Sequence, residues 1–401
     1  MTPPRIGLAL AGGGPLGANY EIGALCALEE ALPGVDFNDL AGYVGVSAGA
    51  CLAAGLANGI SPRQLCAAFI ENDGPRADVI SPRLFVQPAW IEFARRFAAL
   101  PGLSAMALWQ VLARRRAWLE VAELLGRALP TGVFSNAPLE AQVRRMLEQP
   151  GRSNDFRHLA RRLVLVATDL DSGATAPFGT PGWDHVPISR AVAASAALPG
   201  LFPPVAIDGR WYVDGALKKT LHARVLLDMG LDLVLCLNPL VPFDSTRSRR
   251  HRVLGSAEPR IPRLVDGGLP VVLSQTFRTL IHSRLELGMK GYEASHPEVD
   301  LLLFEPDHRD PAMFDANVFS YRQRRKLAEH AYQQTRANLR ARQGELSRIL
   351  ARHGLALDTA VLADDRRTLL KKHRPTGTRA ARALKRLDQV LDDLESRLPA
   401  V

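Results

Sequence analysis

The 401-residue sequence predicts an α/β protein built on a mainly parallel sheet covered by helices. Two observations carry this. Two strand-turn-helix units fit into the first sixty residues, and short aliphatic runs then alternate with helical patterns to about residue 305. The composition agrees: 47% hydrophobic and 23% charged residues exclude a disordered chain, a collagen or a coiled-coil rod, and 6% aromatic residues argue against an all-β fold. The length suits one large α/β domain with an extension.

In order along the chain, Arg5 to Leu10 form an apolar run that ends in Gly12-Gly13-Gly14. Between Gly17 and Leu32, residues Ile22, Leu25, Cys26 and Leu28 fall at helical spacing. Tyr43 to Val46 predict a second strand, and Ala50 to Ala57 a second helix. Residues 72–135 lose the rhythm. Pro75, Pro82, Pro88 and Pro101 punctuate segments bearing Trp90, Phe93, Phe97, Met106, Trp109 and Trp118, which read as short helices on or beside the core. A strand is expected at Arg162 to Ala167, a small-residue helix at Ala191 to Ala197, and a short strand Trp211-Tyr212-Val213 after the Asp208-Gly209 turn. Beyond it come a strand at Leu233 to Leu237, a helix around Leu273 to Met289 and a strand at Asp300 to Phe304. Residues 243–263, rich in Ser, Arg and Pro, read as a mobile loop, and no internal repeat is present.

Four scattered cysteines, Cys26, Cys51, Cys66 and Cys236, encode neither a zinc site nor a disulfide scaffold by their spacing, and three of them lie in Ala/Leu-rich helical patterns and read as core residues. The N-terminal residues lack a basic segment followed by an apolar run, so a cytoplasmic setting is expected. From Leu40 to Pro62 no residue is charged, but five glycines and the change from strand to helix pattern argue against a membrane span.

The charge is uneven. Residues 1–320 hold 31 Lys plus Arg against 32 Asp plus Glu, and residues 321–401 hold 19 against 9, so the net charge of +9 resides in the last fifth of the chain. This divides the sequence into a main domain, 1–320, and a basic helical C-terminal extension, 321–401. In the extension, Leu384, Leu387, Leu391, Leu394 and Leu398 recur at 3,4 spacing. The plainer reading is a solvated helix packed on the domain or on a second copy. A second reading is peripheral contact with an anionic inner-membrane surface. Nucleic acid is not expected, because no binding motif accompanies the charge.

Chemistry concentrates in three places. Gly45-Val46-Ser47-Ala48-Gly49 is a G-x-S-x-G between a strand and a helix, which forces the serine into a strained turn and exposes its hydroxyl at the carboxyl end of the sheet. Gly12-Gly13-Gly14-Pro15-Leu16-Gly17 matches G-x-G-x-x-G, but the second strand ends in Gly45-Val46-Ser47 without the acid a ribose requires, so no dinucleotide cofactor is expected. The glycines Gly12, Gly13 and Gly14 are instead candidates for an oxyanion hole in front of the first strand. A serine needs a base, and Trp211-Tyr212-Val213-Asp214-Gly215-Ala216 sets Asp214 at the end of a short strand beside small residues.

Glycine loop, G-x-S-x-G and Asp-Gly in that order resemble the patatin-like phospholipase family. Ala167-Thr168-Asp169-Leu170 with Gly173 and Phe178, and Ala194-Ser195-Ala196-Ala197-Leu198-Pro199 with Phe202-Pro203-Pro204, resemble that family's blocks, over about residues 5–305. The resemblance implies a three-layer α/β/α fold and a Ser-Asp dyad without a catalytic histidine. Ser47 would be the nucleophile, Asp214 the base, and the amides around Gly12, Gly13 and Gly14 the oxyanion hole. Lipid acyl esters would be cleaved through an acyl-enzyme without metal or cofactor. Three positions depart from the pattern: Leu16 replaces a usual Arg or Lys, Ala216 a usual Gly, and Lys218 to His222 the usual Asn and Pro. The alternatives are an α/β-hydrolase with a Ser-Asp-His triad, drawing on His185, His222 or His308, and a catalytically weak scaffold that binds a membrane or a partner.

Overall fold

The structure, a computed structural model, describes residues 4–112, 126, 128–219, 221–246, 263–314 and 321–370. Its centre is an eight-stranded sheet, and the first strands show why it forms. β1 (Ile6–Leu10, IGLAL) and β2 (Gly42–Val46, GYVGV) are buried at every position, the continuous apolar pattern expected of parallel strands covered on both faces. β3 (Arg162–Asp169) pairs parallel to β2 and receives two antiparallel neighbours, β4 (Thr175–Phe178) and β6 (Arg210–Asp214). The hairpin partner of β6 is β5 (Val205–Ile207). On the other side of β1 lie β7 (Leu233–Leu237) and β8 (Asp300–Phe304), both parallel. The order is β5-β6-β3-β2-β1-β7-β8, with β4 off this path on β3. β4 and β5 are strands of four and three residues that the sequence reading does not anticipate, too short to show a period.

The helices that position the site are α1 (Gly14–Ala31) after β1 and α2 (Ala48–Ala57) after β2. They are followed by α3 (Trp90–Leu112), α4 (Ala137–Leu147), α5 (Ile188–Ser195) and α6 (Gly268–Ser295). Residues Leu40 to Pro62 are thus a strand and a helix of the sheet, and no helix among the described residues is long and apolar enough to cross a membrane. The four cysteines are free and buried.

The region expected to hold several short helices differs. Residues 90–112 form one helix of 23 residues with Pro101 inside it. Its aromatic residues are not core: Trp90 is 72% and Ile91 88% exposed, and Phe97 and Trp109 are exposed as well. Trp118, the segment 247–262 and the leucine stripe 384–398 lie outside the described residues.

The chain up to Leu369 forms one compact unit. That unit includes α7 (Tyr321–Ala341) and α8 (Gln343–Arg352). α7 lays Leu327, Ala328, Ala331 and Tyr332, all fully buried, on α1. Buried Arg336 donates to the Tyr332 hydroxyl and to the carbonyls of Val361, Leu362 and Asp364. Part of the positive charge after residue 320 is therefore consumed within this unit: Arg325 pairs with Glu71 and Arg367 with Glu30.

Candidate active site

Ser47 follows β2 directly and occupies φ 53°, ψ −119°, a conformation that L residues avoid. It is held there by two close approaches. A Cβ on Gly45 would stand 2.6 Å from the Ala50 Cα, and one on Gly49 would stand 2.6 Å from the carbonyl oxygens of Leu10 and Ala11. The two glycines let α2 start immediately against β2 and lean on the end of β1, and the backbone strain falls on the serine between them. Ser47 is also the residue from which α2 springs, so the positive end of that helix lies at its hydroxyl.

The glycine loop meets this elbow. A Cβ on Gly12 would come within 3.2 Å of the Ser47 Cβ and 2.9 Å of the Ala216 Cβ, so loop, serine and aspartate turn converge at one point. The amides of Gly12 and Gly13 donate none of the backbone hydrogen bonds among the described residues. Gly14 begins α1, where the first amides have no partner within the helix. The loop that meets Ser47 at Gly12 thus carries amide donors without internal partners and leads into the positive end of α1.

Asp214 ends β6, where it pairs with Ala167 of β3, one position beyond the Val46–Val166 pair that precedes Ser47. Its amide donates to the Ala197 carbonyl (3.0 Å), and one carboxylate oxygen accepts the Ala216 amide (2.8 Å). The Ser47 side chain is close enough to this carboxylate to favour its charged form. At 2% exposure, burial disfavours its charged form and raises its pKa to about 6, while the Ser47 side chain and the bond from the Ala216 amide oppose that rise. The result is a carboxyl group that is ionised near neutrality and still basic enough to take a proton.

One supporting residue carries more than the sequence reading assigned to it. Ser195, fully buried at the end of α5, accepts the Ser47 amide (2.8 Å) and donates to the Val166 carbonyl (2.6 Å). It ties the strained elbow to β3 and so to the strand that carries Asp214. Its tripeptide neighbourhood marks a family block, but nothing in its local pattern announces this long-range bond. In the other block, Asp169 accepts the amides of Asp171 and Ser172 and pairs with Arg210, which organises the β3–β4 turn. The Thr168 hydroxyl reaches the Asp214 carbonyl (3.3 Å).

Two of the three histidines considered for a triad face other carboxylates. His185 pairs with Asp208 (2.7 Å) and His308 faces Glu305. His222 is buried with its Nε2 unpartnered, and burial together with Lys219 lowers its pKa to about 4. The interactions that act on Asp214 come from Ser47 and Ala216. The departures from the family pattern are equally concrete. Leu16 is buried in α1, the Lys218 ammonium donates to the Gly173 carbonyl (2.7 Å), and that of Lys219 donates to the Tyr292 hydroxyl (3.2 Å). Donors suited to a metal ion among the described residues are His282, Glu305 and His308, none of them at the serine.

An apolar cavity of about 660 Å³ lies between α3 and the β6 hairpin, lined among others by Trp90, Ile91, Leu170, Pro204 and Trp211.

Over residues 8–227, more than half of the chain, the sequence matches the family model for patatin-like phospholipase. Similar solved structures include VipD from Legionella pneumophila, with 15% identity, TM-score 0.37, and 84% of this chain and 67% of that one covered. Another is the heterodimeric ExoU–SpcU complex from the type III secretion system of Pseudomonas aeruginosa, with 20% identity, TM-score 0.27, and 71% and 52% covered. The chain thus spans about two thirds and about half of those proteins. On the match over residues 8–227, the chain belongs to the patatin-like phospholipase family, a family of lipid ester hydrolases.

Proposed function

We propose that the chain is a serine acyl hydrolase that cleaves fatty acyl esters of lipids through a Ser47–Asp214 dyad and an acyl-enzyme. The reading rests above all on the strained Ser47 hydroxyl set against a buried carboxyl group whose pKa is raised to about 6. In the first step Asp214 takes the hydroxyl proton while Ser47 Oγ attacks the ester carbonyl carbon. The negative charge forms on the carbonyl oxygen, where the amides of Gly12, Gly13 and Gly14 and the positive ends of α1 and α2 offset it. The C–O bond to the alcohol then breaks, and the leaving oxygen receives the proton from Asp214. In the second half, Asp214 takes a proton from water as the water attacks the acyl carbon, then returns it to Ser47 Oγ as the acyl C–O bond to the serine breaks and the fatty acid leaves.

No step uses an imidazole, which accords with the engagement of His185 and His308 by other carboxylates. The apolar cavity beside α3, with exposed Trp90 and Ile91 at its rim, suits an acyl chain or a lipid surface. The setting proposed for this activity is cytoplasmic, at an anionic membrane face that the basic residues beyond 370 would contact.

Hydrolysis of a short p-nitrophenyl ester and of phospholipid vesicles by the wild type and by Ser47→Ala tests the reading. Loss of both activities in the variant, with His222→Ala and EDTA-treated enzyme unaffected, is the expected result. Equal rates for wild type and Ser47→Ala would leave the scaffold reading in its place.

A further inference from the structure

A second group of ionisable side chains stands at the carboxyl edge of the same sheet, two strands beyond the glycine loop. Glu305 follows the last residue of β8, His308 lies three residues further on, and His282 projects from the middle of α6. One donor atom from each lies within 4.8 Å of the other two. His282 Nε2 is 3.6 Å from one oxygen of Glu305 and His308 Nε2 is 3.8 Å from the other, so the carboxylate sits between two imidazoles.

Some histidines of this chain close on their carboxylates, His185–Asp208 at 2.7 Å, His330–Asp310 at 2.5 Å and His353–Asp300 at 2.7 Å, while His158–Asp155 at 3.9 Å and His296–Asp228 at 3.7 Å stay open. At Glu305 both contacts stop about an ångström short, beyond the 2.7 to 3.2 Å range of a hydrogen bond. A tetrahedral zinc ion with bonds of about 2.0 to 2.1 Å would hold its donors roughly 3.3 Å apart, a spacing that the cluster, within 4.8 Å as it stands, would reach by drawing together.

The other ring nitrogen of His282, Nδ1, faces Glu286 one turn along α6 at 3.6 Å, which is near it but beyond a direct hydrogen bond. Fully buried Asn238, after β7, donates to the Glu305 carboxylate (3.2 Å) and fixes its orientation. Glu305 and His308 also line a cavity of about 480 Å³ together with Tyr20, Asp307 and Asn338, which gives an ion and its water a route in.

We infer that His282, Glu305 and His308 form a binding site for one divalent cation of the zinc class, with a further coordination position left to water. Two imidazoles and a carboxylate select such an ion over calcium or magnesium, which prefer all-oxygen sets. The ion would clamp the middle of α6, whose Leu269 and Leu280 are exposed, to the end of β8. It takes no part in the ester cleavage proposed for Ser47. Pro239, next to Asn238, stands where a Cβ on Gly13 would come within 2.7 Å of it, so the clamp and the glycine loop share a rigid neighbour.

The test uses the full chain without an affinity tag, stripped with EDTA, dialysed, and titrated with zinc chloride in a calorimeter. One saturable site per chain is expected. His308→Ala and Glu305→Gln should weaken it at least tenfold, and His330→Ala should leave it unchanged. Cobalt added to the stripped wild type should give the intense visible absorption of a four-coordinate ion, a reading that depends on no variant. Absence of a one-to-one site, absence of that cobalt spectrum, or wild-type zinc binding by folded Glu305→Gln would each overturn the assignment.

Discussion

Two carboxyl groups at the same edge of one sheet, Asp214 after β6 and Glu305 after β8, are driven in opposite directions by their surroundings. Burial dominates at Asp214: its partners are a neutral hydroxyl and an amide, and the pKa rises to about 6. Burial also pushes Glu305 upward, but His282, the Asn238 amide and His308 outweigh it and hold the group below its ordinary value. A carboxyl group without a cationic partner is poised to exchange a proton near neutrality, whereas one between two imidazoles remains an anion suited to hold a cation.

The largest effect expected is on turnover at the first of these positions. Ser47→Ala and Asp214→Asn should each reduce ester hydrolysis by roughly three or more powers of ten, as loss of a nucleophile or its base does in other hydrolases. Asp214→Asn carries a second expectation. Because the folded state raises the Asp214 pKa, folding disfavours the ionised form, and the cost grows as pH rises from about 4 through about 6. A shift of roughly two units corresponds to at most about 3 kcal/mol at pH 7. The neutral amide removes that cost and can still accept the Ala216 amide, so the inactive variant should resist urea better than the wild type at pH 7 and lose that advantage near pH 4. A variant that is inactive and also less stable at pH 7 would show that Asp214 is no strained base.

Ser195→Ala should come next. It strands the buried amide of Ser47 and the Val166 carbonyl, at about 1 to 3 kcal/mol, and loosens the elbow. Turnover should fall roughly ten- to a hundredfold while KM changes little, because the residue positions Ser47 without touching an ester. A loss of stability with unchanged turnover would reduce Ser195 to a packing role.

This residue also marks how far the sequence was legible. The two strand-turn-helix units, Ser47, Asp214 and the glycine loop could be read because each is a local event: a glycine where a Cβ would collide, a strand that ends in a small-residue turn. Leu233–Leu237 and Asp300–Phe304 were legible for the same reason, as short runs bounded by turns. Ser195 acts across 148 residues and His282 meets Glu305 across a helix and a strand, so no spacing encodes either contact. Residues 90–112 misled because the prolines were read as breaks between short helices on or beside the core, whereas one helix runs through Pro101. The exposed Trp90 and Phe97 show that its aromatic residues can serve a surface. The division at residue 320 was drawn from charge alone, which does not register that α7 buries Leu327 and Tyr332 against α1.

The proton affinity of the dyad gives a smaller, graded effect. With Asp214 near pKa 6, kcat/KM for a neutral ester should be nearly flat above pH 7 and fall about tenfold per pH unit well below 6. A limb centred at the ordinary carboxylate value near 4 would remove the distinction between the two carboxyls. His222→Ala should leave the limb in place, since its pKa near 4 lies below it.

The smallest effect is expected at Glu305, and it sharpens the comparison because its sign is opposite. Turnover of Glu305→Gln should match the wild type, for the residue lies two strands from the glycine loop. Its stability should not. The lowered pKa of Glu305 means that its anion stabilises the fold at pH above about 4.3, and this contribution disappears as pH falls through the lowered value. The raised pKa of His282, caused first by Glu305 and opposed by burial, contributes only below that raised value and is lost as pH climbs through it. His308 and Glu286 face the same pair, one adding to the attraction on Glu305 and the other to that on His282. For metal-free protein, the deficit of Glu305→Gln should therefore be widest between about pH 4.3 and the pH at which His282 loses its proton, above 6.5. Urea midpoints of the two proteins at intervals from pH 4 to 8 measure it directly. A deficit that instead widened steadily toward pH 8 would mean that the carboxylate is stabilised by something other than the imidazoles, and the contrast with Asp214 would lose its physical basis.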